Sequence, residues 1–132
     1  MKKITVLLAD DHTVVRESIR KIINEREDLV VVGEAGDGEK VVELTLELKP
    51  EVVIMDISMP KLNGIEATRR IKEIRPSTQI LILSAYDYDQ YVFALLEAGA
   101  SGYLLKDVNS QELIRAIYNV NKGESVLYPS VA

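Results

Sequence analysis

Residues 52–60 read Val52-Val53-Ile54-Met55-Asp56-Ile57-Ser58-Met59-Pro60. An unbroken apolar run ends in a carboxylate, and a proline follows four residues later. An apolar run this short between turn signals predicts a strand buried on both faces. A charge at the end of such a strand is costly without a partner, so Asp56 marks a place where the chain needs a cation or a reaction. Pro60 and Gly64 then shape the turn that leads away from it.

The same pattern recurs on either side. Ile4–Ala9, Leu29–Glu34, Gln79–Leu83 and Gly102–Leu105 are also short, apolar and rich in β-branched residues. Helical periodicity fills the intervals. Val15, Ile19, Ile22 and Ile23 give one stripe. Val41, Val42, Leu44, Leu46 and Leu48 mark a second helix, stopped by Pro50. Ile65, Ala67, Ile71 and Ile74 mark a third, stopped by Pro76. Val92, Leu95, Leu96 and Ala98 mark a fourth, closed by Gly99, and Leu113, Ile114, Ile117 and Val120 a fifth, closed by Gly123. Asp37, Asn63 and Asn109 or Ser110 stand where N-caps belong. Five strands alternating with five helices predict an α/β fold, (βα)5, doubly wound about a five-stranded parallel sheet with right-handed crossovers. Glu124–Ala132 has no further element to pair with and is expected to be a tail or the start of a linker.

In such a sheet, ligands bind beyond the carboxyl ends of the strands. Asp10 and Asp11 follow the first strand, Asp56 the third, Ser84 and Ala85 the fourth, and Lys106 the fifth. Three carboxylates close together repel, and at least one pKa rises unless a cation joins them. Oxygen ligands without His or Cys suit Mg²⁺ or Mn²⁺. A carboxylate facing a metal-bound phosphodonor can act as nucleophile and form an acyl phosphate. The ion, Lys106 and the Ser84 hydroxyl would then share the charge of the transferring group. Helix capping alone would explain Asp10 and Asp11, but not their company with Asp56 and Lys106. His12, the single histidine, is expected to be an exposed residue at a helix start.

Composition agrees. The chain has 132 residues, the length of one domain, with 47% hydrophobic and 28% charged residues, which excludes a disordered or fibrous chain. The absence of cysteine removes disulfide, thiolate and cysteine-nucleophile chemistry and fits a cytoplasmic setting. A net charge of −5 lacks the electrostatic footprint of a nucleic-acid-binding domain. Asp10, Asp11, Asp56 and Lys106 together carry a formal −2 of it. The apolar start stops at Asp10, too soon for a signal peptide and far short of a ~20-residue membrane span.

Asp10-Asp11, Asp56, Ser84, Tyr103 and Lys106, at the ends of the strands of a (βα)5 pattern, resemble the receiver domain of two-component response regulators over residues 4–122. A finer resemblance, to receivers of the NarL/FixJ (LuxR-type output) class, rests on Leu8-Ala9-Asp10-Asp11-His12, Gly33-Glu34-Ala35, Asp56-Ile57-Ser58-Met59-Pro60, Gly99 to Asp107 and Gly123-Glu124-Ser125. It implies a flavodoxin-like sheet of order 2-1-3-4-5, with residues 1–122 as the receiver and 123–132 as the start of a linker to a DNA-binding, transcription-regulating domain. It implies that Asp56 accepts a phosphoryl group from a sensor histidine kinase. Asp11, Asp56 and the Ser58 carbonyl would bind Mg²⁺ directly, Asp10 through water. Lys106 would contact the phosphoryl group, and Ser84 and Tyr103 would be the switch pair, Tyr103 turning inward on phosphorylation. Phosphorylation is expected to promote a homodimer. Asp107 stands where many receivers have proline after the lysine.

Other features remain specific to this chain. Tyr86, Tyr88, Tyr91 and Phe93 crowd into one stretch, with Tyr103 nearby, and suggest either a partly buried cluster or a surface a partner covers. Tyr86 and Ser58, each two residues past a site residue, are expected to flank the mouth of the site and tune water access. Three competing functions can be weighed. A flavin-mononucleotide carrier needs a hydroxyl- and glycine-rich loop where Asp10-Asp11-His12 stands. A haloacid-dehalogenase-type aspartyl-phosphate hydrolase places its nucleophile after the first strand. A receiver serving only as an interaction module has no need of a complete acidic pocket.

Overall fold

The computed structural model describes residues 2–85 and 89–127. One six-stranded sheet, all of it parallel, runs through the molecule in the order β2-β1-β3-β4-β5-β6. Its strands are β1 (Ile4–Ala9), β2 (Leu29–Ala35), β3 (Val52–Met55), β4 (Gln79–Ser84), β5 (Gly102–Leu105) and β6 (Val126–Leu127). Between the first five lie α1 (Thr13–Asn24), α2 (Gly38–Leu48), α3 (Gly64–Ile74) and α4 (Asp89–Ala98), and α5 (Ser110–Asn121) follows β5.

Alternation along each strand splits the core into two layers. Val6, Leu8, Ile54, Leu81 and Leu83 pack with α1 and α5 residues such as Ile19, Ile23, Leu113 and Ile117. Leu7, Val53, Met55, Ile80 and Ile82 face the other way, onto Val41, Ala67, Ile71 and Leu95 of α2, α3 and α4. The inner stretches of the central strands, Val6–Ala9, Val52–Met55 and Ile80–Leu83, are therefore apolar throughout, as their sequence implies. Asp37, Asn63 and Asn109 each cap a helix by accepting a backbone N–H three residues on, at 2.8, 3.0 and 2.8 Å. Helices α4 and α5 are followed by Gly99 and Gly123 with φ of 107° and 89°, the left-handed geometry that favours glycine.

Two expectations need correcting. The segment after Gly123 does have a pairing partner. Val126 and Leu127 align with Gly102 and Tyr103, adding β6 to the edge of the expected five-stranded order. Leu46, Ile74 and Leu96 lie in the helices predicted for them but face solvent, 56%, 41% and 38% exposed, because each helix has a single sheet face to bury, and Leu48, 37% exposed, is only partly covered where it lies over Gly33.

Candidate functional site

The carboxyl ends of β1, β3, β4 and β5 converge as the sequence predicts. Ladder bonds fix the backbone there. The Asp56 N–H donates to the Ala9 carbonyl at 3.0 Å, the Asp10 N–H to that of Ala35 at 3.0 Å, and the Lys106 N–H to that of Ser84 at 2.8 Å. A glycine brings the next helix in close. A Cβ at Gly64 would lie 2.5 Å from the Asp56 carbonyl oxygen and 2.8 Å from the Ile57 Cα, so only glycine lets α3 begin against the backbone of Asp56.

Asp10 and Asp56 are buried, 4% and 6% exposed. The Lys106 ammonium bridges them, 2.9 Å from Asp10 Oδ2 and 3.2 Å from Asp56 Oδ2. The two carboxylates nevertheless differ. Burial pushes both pKa values up. At Asp10 this is outweighed by hydrogen bonds from Lys106 and from the His12 backbone and ring, and its pKa falls below the ordinary value. At Asp56 burial prevails over the charge and hydrogen bond of Lys106, the Asp10 charge adds to it, and the pKa rises. For Lys106, burial favours the neutral amine, but the hydrogen bond to Asp10 and the charge of Asp56 prevail and raise its pKa.

Asp11 is more open, with about a third of its side chain exposed. Asp10, Asp11, Asp56 and His12 each offer a ligand atom within 4.8 Å of the others. His12 is exposed at the start of α1, as expected, and makes no side-chain cap bond. Its Nδ1 does lie 2.9 Å from Asp10 Oδ1 and 3.1 Å from Asp11 Oδ1, contacts that spacing alone could not show. Ser84 ends β4 and is fully buried, with Ala85 exposed beside it, and Ser58 is exposed beyond Asp56. Tyr103 is only 1% exposed and belongs to the layer under α2, α3 and α4. Of the aromatic stretch, Tyr91 is half-buried and Phe93 is 69% exposed, whereas Tyr86 and Tyr88 lie outside the described residues.

Hard oxygen donors, with more negative charge than one lysine neutralises, form the donor set of a site for a small divalent cation. Residues 6–118 match the response regulator receiver domain. The chain belongs to that family. Among similar receiver-containing proteins is the transcriptional regulatory protein YxjL of Bacillus subtilis, 48% identical over 94% of this chain and 57% of that protein. Another is the nitrate/nitrite response regulator NarL of Escherichia coli K12, 37% identical over 93% of this chain and 57% of that protein. The chain thus spans little more than half the length of these relatives. A LuxR-family two-component response regulator from Aurantimonas superposes with a TM-score of 0.93 at 35% identity, covering 98% of this chain and 93% of that one. The isolated receiver of RcsB from Salmonella enterica, solved with phosphomimetic BeF3⁻, gives 0.89 at 31% identity, over 98% and 96% of the two chains. Receivers signal through phosphorylation, and these relatives are named as regulators. No helix among the described residues is long and apolar enough to cross a membrane.

Proposed function

We propose that this receiver is a phosphorylation switch in which Asp56 accepts a phosphoryl group from a sensor histidine kinase. The observation that carries this is the buried Asp56 carboxylate at the end of β3, held by Lys106 beside a second buried carboxylate. Asp56 Oδ forms a bond to phosphorus as the phosphorus–nitrogen bond of the phosphohistidine breaks. The imidazole leaves with the bond's electron pair and takes up a proton, and Asp56 becomes an acyl phosphate. Asp11, Asp56 and the Ser58 carbonyl, with Asp10 through water, are the residues to hold Mg²⁺ or Mn²⁺. When bound, the ion supplies positive charge for the phosphoryl oxygens. Lys106, already between Asp10 and Asp56, can follow the new charge by a small movement, and Ser84 offers its hydroxyl. Tyr86 and Ser58, each two residues past a site residue in sequence, set how fast water reaches the acyl phosphate.

Phosphorylation replaces one negative charge by about two and adds acceptor oxygens. Ser84 then moves toward the phosphoryl group, Tyr103 turns inward into the space it leaves, and a pre-existing minor arrangement of β4, α4 and β5 is favoured. The consequence is homodimer formation and control of a DNA-binding, transcription-regulating domain joined to the receiver through the segment that begins at 123, whose first residues complete the receiver's sheet as β6. The protein works in the cytoplasm, a regulator rather than an enzyme acting on other molecules. Incubation with Mg²⁺ and acetyl phosphate should add the mass of one phosphate. Asp56→Asn should abolish the adduct, and an unmodified wild-type protein would overturn the proposal.

A further inference from the structure

Glu34 lies near the end of β2, in an edge strand, and its carboxylate faces α1. It gets there through a register shift. Val6 pairs with Val31, but the next residue of β1, Leu7, pairs with Gly33, so β2 carries one extra residue, Val32. Val31 packs in the layer under α1 and α5. Gly33 lies on the opposite face, where a Cβ would meet Leu48, Leu7 and Leu44, and Ala35 packs in that layer too. Strict alternation from Val31 would have put Gly33 on the α1 side and Glu34 on the α2 side. The bulge reverses this and aims Glu34 at α1.

There Glu34 meets two arginines one helical turn apart. Arg16 Nε donates to Glu34 Oε1 at 3.2 Å, and Arg20 Nη1 donates to Oε2. Arg16 is mostly buried, with 18% of its side chain exposed. Its other arm passes beside Gly36, where a Cβ would lie 3.5 Å from Nη1, and Nη1 donates to the backbone carbonyl of Asp10. That carbonyl belongs to the peptide unit joining Asp10 to Asp11. Since the unit is planar, fixing its oxygen fixes the direction in which the chain carries Asp11 forward.

We infer that Arg16, held by Glu34, is a positioning residue for the divalent-cation site: it locks the Asp10–Asp11 peptide so that the two carboxylates converge with Asp56. The inference rests on the metal reading of the site proposed above and assigns a role to Gly33-Glu34-Ala35 and its bulge. Arginine suits the task because one rigid fork serves two acceptors, whereas a lysine ammonium is a single flexible point. Groups that orient metal ligands without touching the ion typically alter affinity by about 10–100-fold when removed.

Calorimetric titration of Mg²⁺ into the wild type, Arg16→Met, Arg16→Lys, Glu34→Gln and the Arg16→Met/Glu34→Gln double variant tests this. Arg16→Met should weaken Mg²⁺ about tenfold, and Arg16→Lys should restore part of the loss. Glu34→Gln should weaken it less, and the double variant should be no worse than Arg16→Met, because Glu34 acts through Arg16. A backbone amide resonance of Asp11 that shifts in Arg16→Met without Mg²⁺ would show the peptide moving. If Arg16→Met melts at lower temperature but binds Mg²⁺ within twofold of wild type, Arg16 is structural only and the inference fails. If that variant does not fold, Glu34→Gln decides: unchanged affinity overturns the clamp. A wild type that binds no Mg²⁺ overturns the metal reading, and the clamp with it.

Discussion

Replacing Lys106 by methionine isolates the cation that joins Asp10 to Asp56. The methionine keeps most of the aliphatic stem, so the change removes chiefly the ammonium and its contacts at 2.9 and 3.2 Å. Breaking a buried ion pair by removing one partner costs about 3–5 kcal/mol. Two features lower that figure. The Lys106 side chain keeps 22% exposure, so water screens part of the interaction. Asp56, whose pKa is already raised, can also take up a proton and cap the repulsion. We expect a loss of about 2–3 kcal/mol in a chelator at neutral pH, which for a domain of this size lowers Tm by roughly 6–12 °C. Saturating Mg²⁺ should then stabilise the variant more than the wild type, because the ion replaces the missing charge as well as contributing its own binding energy, about 2.7 kcal/mol at a hundredfold excess over Kd. Thermal melts followed by circular dichroism, with EDTA and with MgCl2, measure both effects. A variant that melts within about 2 °C of wild type in EDTA, or whose deficit persists in Mg²⁺, would show that the ammonium is not what balances the two carboxylates.

Three further outcomes are expected. Asp56→Asn should be more stable than wild type at pH 7 without metal. A raised carboxyl pKa means that ionised Asp56 opposes folding, and the penalty disappears as pH falls through its folded-state value, so the advantage should shrink on acidification; denaturant melts across pH check the sign. Asp10 acts in the opposite direction, since its lowered pKa favours folding above the ordinary carboxylate range and that support is lost below it. Gly64→Ala forces a Cβ to within 2.5 Å of the Asp56 carbonyl oxygen, and should cost about 1–3 kcal/mol while slowing acetyl-phosphate labelling; unchanged labelling would mean the turn relaxes without moving Asp56. Asp37→Ala removes the 2.8 Å bond to the Lys40 N–H at the start of α2 and should cost about 1 kcal/mol in urea denaturation, with Mg²⁺ binding unaffected.

What could be read in the sequence had strong local causes. The central strands announce themselves because both faces are buried, leaving no polar residue to interrupt Val52–Met55 or Leu81–Leu83, and the edge strand β2 through its run of valines. The caps at Asp37, Asn63 and Asn109 are chemical requirements of a helix end. Asp10, Asp56 and Lys106 stand at strand ends that the parallel topology must bring to one edge. The remainder depends on long-range geometry. The two residues of β6 are too few to show periodicity, and only the neighbouring β5 gives them a partner. The burial of Tyr103 reflects space within a folded layer. The Arg16–Glu34 contact requires a bulge whose extra residue, Val32, looks in sequence like any other strand valine. The ring of His12 touches Asp10 and Asp11 through a side-chain direction that spacing does not encode.

The short sixth strand has a practical consequence for where this chain can be cut. Without it, β5 would be an edge strand throughout, presenting an apolar ladder open to pairing with another molecule. Val126 and Leu127 cover half of that edge at Gly102 and Tyr103, and their side chains pack against the two core layers, Val126 on one and Leu127 on the other. A truncation that stops at the end of α5 would keep every residue of the acidic site yet leave this ladder bare. Such a fragment should be prone to aggregate, and one ending after Leu127 should resist it.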